Sequence, residues 1–302
     1  MKKIKFIESV AEYNASANHE TLHPLVSLVD LSKASKRRFG EIDAISLGFF
    51  AVFLKQGTQC TLRYGRRNYD YQDGTLVFLA PRQVVEIIAD DPDYQPSGYA
   101  LIFHPDLLHG TQLAQRMKEY TFFSYEVNEA LHISERERQI VMECFQKVEY
   151  EIGLNVDKHS KKLIVGSIEL LLDYCLRFYD RQFFTRENVN RGILEKFESL
   201  VDDYFESDKP KDIGPPAVAY FADALNLSAN YLGDLMKKET GKSAQEQLQL
   251  RLIEIAKQRI FSRDKTISEI AYEMGFKYPQ HFTRFFKQQV GSTPVEYRNS
   301  VN

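Results

Sequence analysis

The chain has little of what usually fixes a protein's class at first sight. Its three cysteines, Cys60, Cys144 and Cys175, are odd in number and have no paired spacing. They give neither a disulfide framework nor a zinc site, and they fit a reducing compartment. No apolar run is long enough to span a bilayer, and the basic start Met1-Lys2-Lys3 is followed by Glu8 and Glu12 rather than by the apolar core of a signal peptide. The expectation is a cytoplasmic protein with no membrane partner. Excess charge is missing too: a formal net charge of -3 argues against a generic polyanion binder.

What charge there is lies unevenly. Residues 213–302 hold 12 Lys and Arg against 9 Asp and Glu, while residues 1–212 hold 27 against 33, so a mildly basic end follows an acidic body. A length of 302 residues is enough for two domains. The first 110 or so residues are punctuated as all-β. Residues 45–54 form a dense apolar run, residues 60–64 and 69–71 flank a basic turn, and Asp73-Gly74 introduces the apolar run 75–79 before Pro81. After residues 99–103 the period changes. Ile140, Val141, Cys144, Phe145 and Val148 form one helical stripe within 135–151, and Leu163, Ile164, Ile168, Leu171, Leu172 and Cys175 form another within 160–178. The polar stretch 180–190 predicts a boundary between a domain at 1–185 and an all-helical domain at 191–302.

Within the second domain one pattern occurs twice. The first copy is Phe221-Ala222, Asn226-Leu227, Leu232, Leu235, Met236, Lys237 and Gly241; the second is Ile270-Ala271, Gly275-Phe276, Phe282, Phe285, Phe286, Lys287 and Gly291. In both, a small Ala precedes by four residues a residue tolerant of positive φ, as two helices in close contact across a tight turn require. The offset is 49 residues up to the turn and 50 after it. Ser243 with Glu246, Thr266 with Glu269, and Thr293 with Glu296 have the spacing of capping boxes at helix starts.

The second helix of each copy is therefore a candidate for the major groove. Pro279 fixes a helix start, and Gln280, Thr283, Arg284 and Lys287 fall on the face opposite Phe282 and Phe286. Gln pairs bidentately with adenine and Arg with guanine, Thr meets a methyl group or a phosphate, and Lys meets the backbone. His281 lies near this face and either touches DNA or shields the Phe cluster. In the first copy Ser228 caps the helix, and Asn230, Asp234 and Lys237 face outward with Gly233. Asp234 repels phosphate unless it accepts from a cytosine amino group. A helix from Ala244 to about Ser262 joins the copies and spans roughly 28 Å, near the roughly 34 Å between successive major-groove segments on one side of a duplex. Arg251, Lys257, Arg259 and Lys265 along it are either phosphate contacts or solvated charges.

Ile270, Ala271, Gly275, Phe276, Phe282, Phe286, Lys287, Gly291, Thr293, Pro294, Tyr297 and Arg298 together resemble the signature of AraC-type transcriptional regulators. The resemblance covers the last hundred residues or so. It implies two helix-turn-helix units on double-stranded DNA, with Ser228, Asn230, Asp234, Lys237, Gln280, His281, Thr283, Arg284 and Lys287 as contact residues, and RNA polymerase as a partner. Asp234 stands where many members carry a basic residue. Through Asp73-Gly74 to Pro81, the N-terminal part resembles the family's cupin-like sensing and dimerising domain. The expected class is thus α+β: a cupin-like β-barrel with flanking helices, followed by an all-α domain.

A cupin enzyme would place His-x-His and a Glu early, with a further His later, to build a metal site. No histidine stands between His23 and His104, and Arg82-Gln83-Val84 follows Pro81. No metal, cofactor or catalytic residue is expected. His104 and His109 are either ligands or ordinary turn residues. Phe50, Phe53, Tyr64, Phe78 and Tyr99 either line an effector pocket or fill a β core. The stripes at 135–151 and 160–178 either pack only on their own barrel or also form a homodimer interface. Three functions stay open: an effector-controlled regulator, a cupin enzyme fused to a DNA-binding domain, and a regulator whose first domain only dimerises.

Overall fold

Among the described residues of its first part the chain forms nine strands: β1 Ile4–Ile7, β2 Val26–Asp30, β3 Ala44–Leu47, β4 Phe50–Lys55, β5 Thr61–Arg63, β6 Thr75–Leu79, β7 Val84–Ile88, β8 Gly98–Phe103 and β9 Leu131–His132. The computed structural model describes residues 4–34, 44–56, 61–63, 74–88, 97–125, 129–185, 187–261 and 264–300. The chain divides into two units, Met1–Thr185 and Arg186–Asn302. In the first, the strands form a sheet in the order β1-β3-β7-β5 and another in the order β2-β8-β4-β6-β9. Among the described residues no strand pairing joins the two sheets, so no closed barrel is seen there, and the unit is mixed α+β as expected.

Gly48 interrupts the apolar run 45–54 between β3 and β4. Gly48 donates its N–H to the Ile7 carbonyl at 2.8 Å, and a Cβ there would stand 2.8 Å from the Glu8 carbonyl oxygen. The chain bends at this point and β3 and β4 enter different sheets. Ile45, Leu47 and Val85 from one sheet and Ala51, Val77, Leu79, Ala100 and Ile102 from the other close a common core, with α1 Val10–Ala17 at its side. The opposite face of the larger sheet meets aromatic side chains and helices.

Short helices α2 Pro105–Leu108 and α3 Gln112–Arg116 lead to α4 Glu135–Ile152 and α5 Ser160–Thr185. His104 caps α2, its Nδ1 accepting from the Asp106 N–H at 3.2 Å, and His109 lies 3.7 Å from the Asp106 carboxylate; both are turn residues. Among the described residues no group of three or more His, Cys, Asp or Glu is placed to hold a metal, and no helix is long and apolar enough to cross a membrane. Cys144 and Cys175 are free and buried, and burial pushes both thiols above their ordinary range.

The division between Thr185 and Arg186 falls inside the polar stretch 180–190. α5 covers it as far as Thr185, and Gln182, 1% exposed, accepts from the His132 N–H at 2.8 Å and donates to the Ala130 carbonyl at 3.3 Å. Its polarity serves to satisfy the short strand β9, whose backbone groups would otherwise be buried unpaired. The second unit opens with α6 Glu187–Glu206, in which Asn190 is buried and donates to Glu239 at 2.8 Å.

Eight helices are described in that unit: α6, α7 Lys209–Ile213, α8 Val218–Leu225, α9 Ala229–Thr240, α10 Ala244–Ile260, α11 Ile267–Glu273, α12 Pro279–Val290 and α13 Pro294–Ser300. Lys209-Pro210 opens α7, since Pro fits a first turn, and Pro215-Pro216 precedes α8 rather than lying in it. Phe197, Val201 and Tyr204 of α6 are buried, and Phe197 and Tyr204 pack against Phe221 of α8 at ring distances of 5.4 and 5.9 Å.

Candidate nucleic-acid interface

The two copies of the sequence pattern fold alike. At the first turn Asn226 takes φ 63° and Leu227 donates to the Ala222 carbonyl at 2.9 Å; at the second Gly275 takes φ 85° and Phe276 donates to the Ala271 carbonyl at 2.9 Å. This is the left-handed ending that satisfies the last carbonyls of a helix. Ala222 and Ala271 are buried where the paired helices meet. The additional residue of the second copy falls between the turn and the next helix: Leu227 alone separates Asn226 from Ser228, whereas Phe276 and Lys277 separate Gly275 from Tyr278.

α9 buries Tyr231, Leu232, Leu235 and Met236. Ser228 acts as its cap, the hydroxyl oxygen accepting from the Tyr231 N–H at 3.0 Å. Asn230 and Lys237 are exposed on the other face, and Gly233 and Asp234 are half-buried. α12 buries Phe282 and Phe286 completely, which stabilises the unit by about 1.5–3 kcal/mol per ring. Gln280, His281, Arg284 and Lys287 are exposed and Thr283 is half-buried. The Thr283 hydroxyl donates to the Pro279 carbonyl at 3.1 Å, leaving its methyl group and lone pairs for any contact. The His281 ring lies 5.4 Å from that of Tyr278, edge to face.

The connecting helix α10 has 17 residues, roughly 25 Å at the α-helical rise. The capping boxes at Ser243 and Thr266 are fully formed, and Glu296 accepts from the Thr293 N–H at 2.7 Å. The basic residues of the connector have partners inside the protein. Arg251 grips Asp202 of α6 with two bonds of 2.7 Å and Glu254 with one of 2.8 Å. Arg259 donates to the Phe205 and Glu273 carbonyls, Lys265 to Glu273 at 2.6 Å, and the Lys257 ammonium stands over the Tyr297 ring at 5.6 Å. These charges fasten helices together. Sequence alone gives no sign of this, because each partner except Glu254 lies eight or more residues away.

Of the aromatic candidates of the first unit, Phe50 and Phe78 meet in one cluster through Phe123, at 5.0 and 5.6 Å. Phe50 stacks on Phe103 at 5.2 Å, Phe78 packs against Phe122 at 4.4 Å, and Tyr99 lies 6.5 Å from Phe145 of α4. Those three lie on the helix-covered side of the larger sheet. Phe53 packs against the core between the sheets instead, as the two-residue period of a strand requires. Tyr64 and the basic turn containing Arg66 and Arg67 lie outside the described residues.

Two turns of this geometry, each presenting a polar helix face and joined by one helix, define a double helix-turn-helix domain. Residues 221–300 match the model of a family described as a helix-turn-helix domain. The transcriptional regulatory protein YesN of Bacillus subtilis (strain 168) is 44% identical over 78 residues, 25% of this chain and 21% of that protein. The raffinose operon transcriptional regulatory protein RafR of Pediococcus pentosaceus is 36% identical over 77 residues, 26% of this chain and 28% of its own. A solved transcriptional regulator of Chromobacterium violaceum, described as containing an AraC-type DNA-binding domain, is 22% identical, with 36% of this chain and 91% of its own covered and a TM-score of 0.32. The match thus spans under a third of the length of either curated relative. Over residues 221–300 the chain carries an AraC-type helix-turn-helix domain of the kind found in transcriptional regulators.

Proposed function

We propose that the chain is a cytoplasmic, non-enzymatic transcription regulator that binds specific double-stranded DNA through both helix-turn-helix units. The observation that carries this reading is the repeated placement of unburied polar side chains on the outer faces of α9 and α12, while the opposite faces are fully packed. In this account Gln280 and Arg284 read base edges, Thr283 contacts a methyl group or a phosphate, and Lys287 and Lys237 hold the backbone. Asn230 reads an adenine from the first unit. Ser228 fixes the start of α9, and Asp234 accepts from a cytosine amino group.

The first unit is proposed as a cupin-like control domain that responds to a small-molecule effector, with RNA polymerase as the partner at the promoter. Tyr150 of α4 and Leu163 of α5 are 67% and 50% exposed and line one shallow cleft, which supports homodimerisation through this pair of helices. An effector should raise the melting temperature of the full chain in a metabolite panel.

The test of the central reading is selection of bound fragments from a pool of random duplexes by the full chain. Enrichment of one sequence is the expected result, and recovery of the pool unchanged overturns the proposal.

A further inference from the structure

In the second unit the residues that precede the candidate recognition helix form a cluster without a counterpart in the first. Tyr278 is 48% exposed although it is a large aromatic residue. Its ring carries the Lys277 ammonium at 5.8 Å from the centroid and the His281 ring at 5.4 Å with an interplanar angle of 71°. Lys277 and His281 are themselves exposed. Lys277 is also the residue by which the second turn is longer than the first.

The Tyr278 side chain makes no capping hydrogen bond for the helix it precedes; only its backbone carbonyl takes part, accepting from the His281 N–H at 3.0 Å. The corresponding residue of the first unit, Ser228, caps α9 through its hydroxyl. A tyrosine here forgoes the cap and exposes apolar surface, yet it holds a phenol, an ammonium and an imidazole together at the N-terminal end of α12. Tyrosine and lysine are both common partners of phosphate oxygens. The ammonium over the ring restricts the tyrosine's side-chain freedom, so less ordering remains for binding to supply.

We infer that Tyr278 and Lys277 together grip a phosphate of the DNA backbone beside the groove that α12 enters, and that the Tyr278 ring fixes His281 toward the adjoining bases. The inference deepens the DNA-binding reading above and rests on it. The phenol O–H donates to a phosphate oxygen, Lys277 supplies the charge, and neither contact depends on sequence.

The experiment compares the full chain with Y278F, Y278S and K277A on a duplex selected by the unsubstituted chain and on a random duplex, at several salt concentrations and alongside thermal unfolding. Y278F should weaken binding to both duplexes by on the order of tenfold, the size expected for a hydrogen bond to a charged group, with no change in melting temperature. Y278S installs a capping residue, so it should hold or raise the melting temperature while weakening binding at least as much as Y278F. K277A should lower the salt slope by about one unit. If the unsubstituted chain binds neither duplex, the DNA-binding reading falls and this inference with it. If it binds and both Tyr278 variants bind within about twofold of it, well under the tenfold expected of such a bond, only this inference is overturned.

Discussion

Gly275 and Gly214 touch backbone to backbone. A Cβ on Gly275 would stand 2.5 Å from the Gly214 carbonyl carbon and 2.7 Å from the Pro210 carbonyl oxygen. The turn of the second helix-turn-helix unit is thereby seated on the segment after α7, which Tyr204 holds by donating to the Gly214 carbonyl at 2.8 Å. Gly291, with nearly the same φ of 88°, has nothing within 4 Å of such a Cβ. G291A should therefore cost only the left-handed conformation, about 1–2 kcal/mol. G275A adds a backbone clash that no side-chain rotation relieves, and should cost at least about 2 kcal/mol more. Thermal unfolding of the two variants measures the difference, and equal losses would show that the contact carries no weight.

Arg284 and Lys287 stand one turn apart on α12, both exposed, and should divide the labour of binding. R284A should lose about 1–3 kcal/mol on a selected site and relax the preference at one position. K287A should weaken all duplexes alike and lower the salt slope by about one unit. Titration on selected and random duplexes separates the two, and equal losses for R284A on both would assign Arg284 to the backbone.

Arg251 should behave differently, because Asp202 already holds it. Asp202 and then Glu254 raise its pKa through hydrogen bonds, and the pair is only partly buried. A double-mutant cycle between Asp202 and Arg251 should give a coupling of at most about 1 kcal/mol, while R251A leaves the salt slope of DNA binding unchanged. A slope lowered by about one unit would return Arg251 to the phosphate contacts.

How much of this was legible in the sequence follows the range of the interactions. The paired turns at Asn226 and Gly275 and the capping boxes at Ser243, Thr266 and Thr293 are decided within six residues, and the sequence predicts them correctly. The break at Gly48 is not local: it depends on Ile7 and Glu8, some forty residues away, so the apolar run 45–54 does not reveal it. In the stretch 180–190 the polar residues have a role that is not local: the value of Gln182 and Asn190 as interior groups shows only once β9 and Glu239 are beside them. The outer faces of α9 and α12 could be placed from helical period alone. Tyr278 and Lys277 escape that reading because they precede the periodic segment.

Three of those caps titrate. Glu246, Glu269 and Glu296 are held below the ordinary glutamate value of 4.5, first by the backbone N–H groups of Ser243, Thr266 and Thr293. A carboxylate whose pKa is depressed in the folded state contributes stability above its unfolded pKa and loses it as pH falls through the folded one. The melting temperature of the full chain should therefore fall as pH drops below 4.5. In the triple variant E246Q/E269Q/E296Q it should fall less, because glutamine accepts the same bonds without titrating. Parallel pH profiles would remove the caps from the account of acid sensitivity.

One chain should set two recognition helices into successive major-groove segments of one duplex. Hydroxyl-radical footprinting of residues 186–302 on a selected site tests this most directly, and the fragment begins ahead of α6 because Asn190 is bonded to Glu239. With α10 spanning roughly 25 Å, a single copy should protect two backbone segments on one face of the duplex, about ten base pairs apart. Protection of one segment only, or of two that appear only when a second copy binds, would contradict the claim.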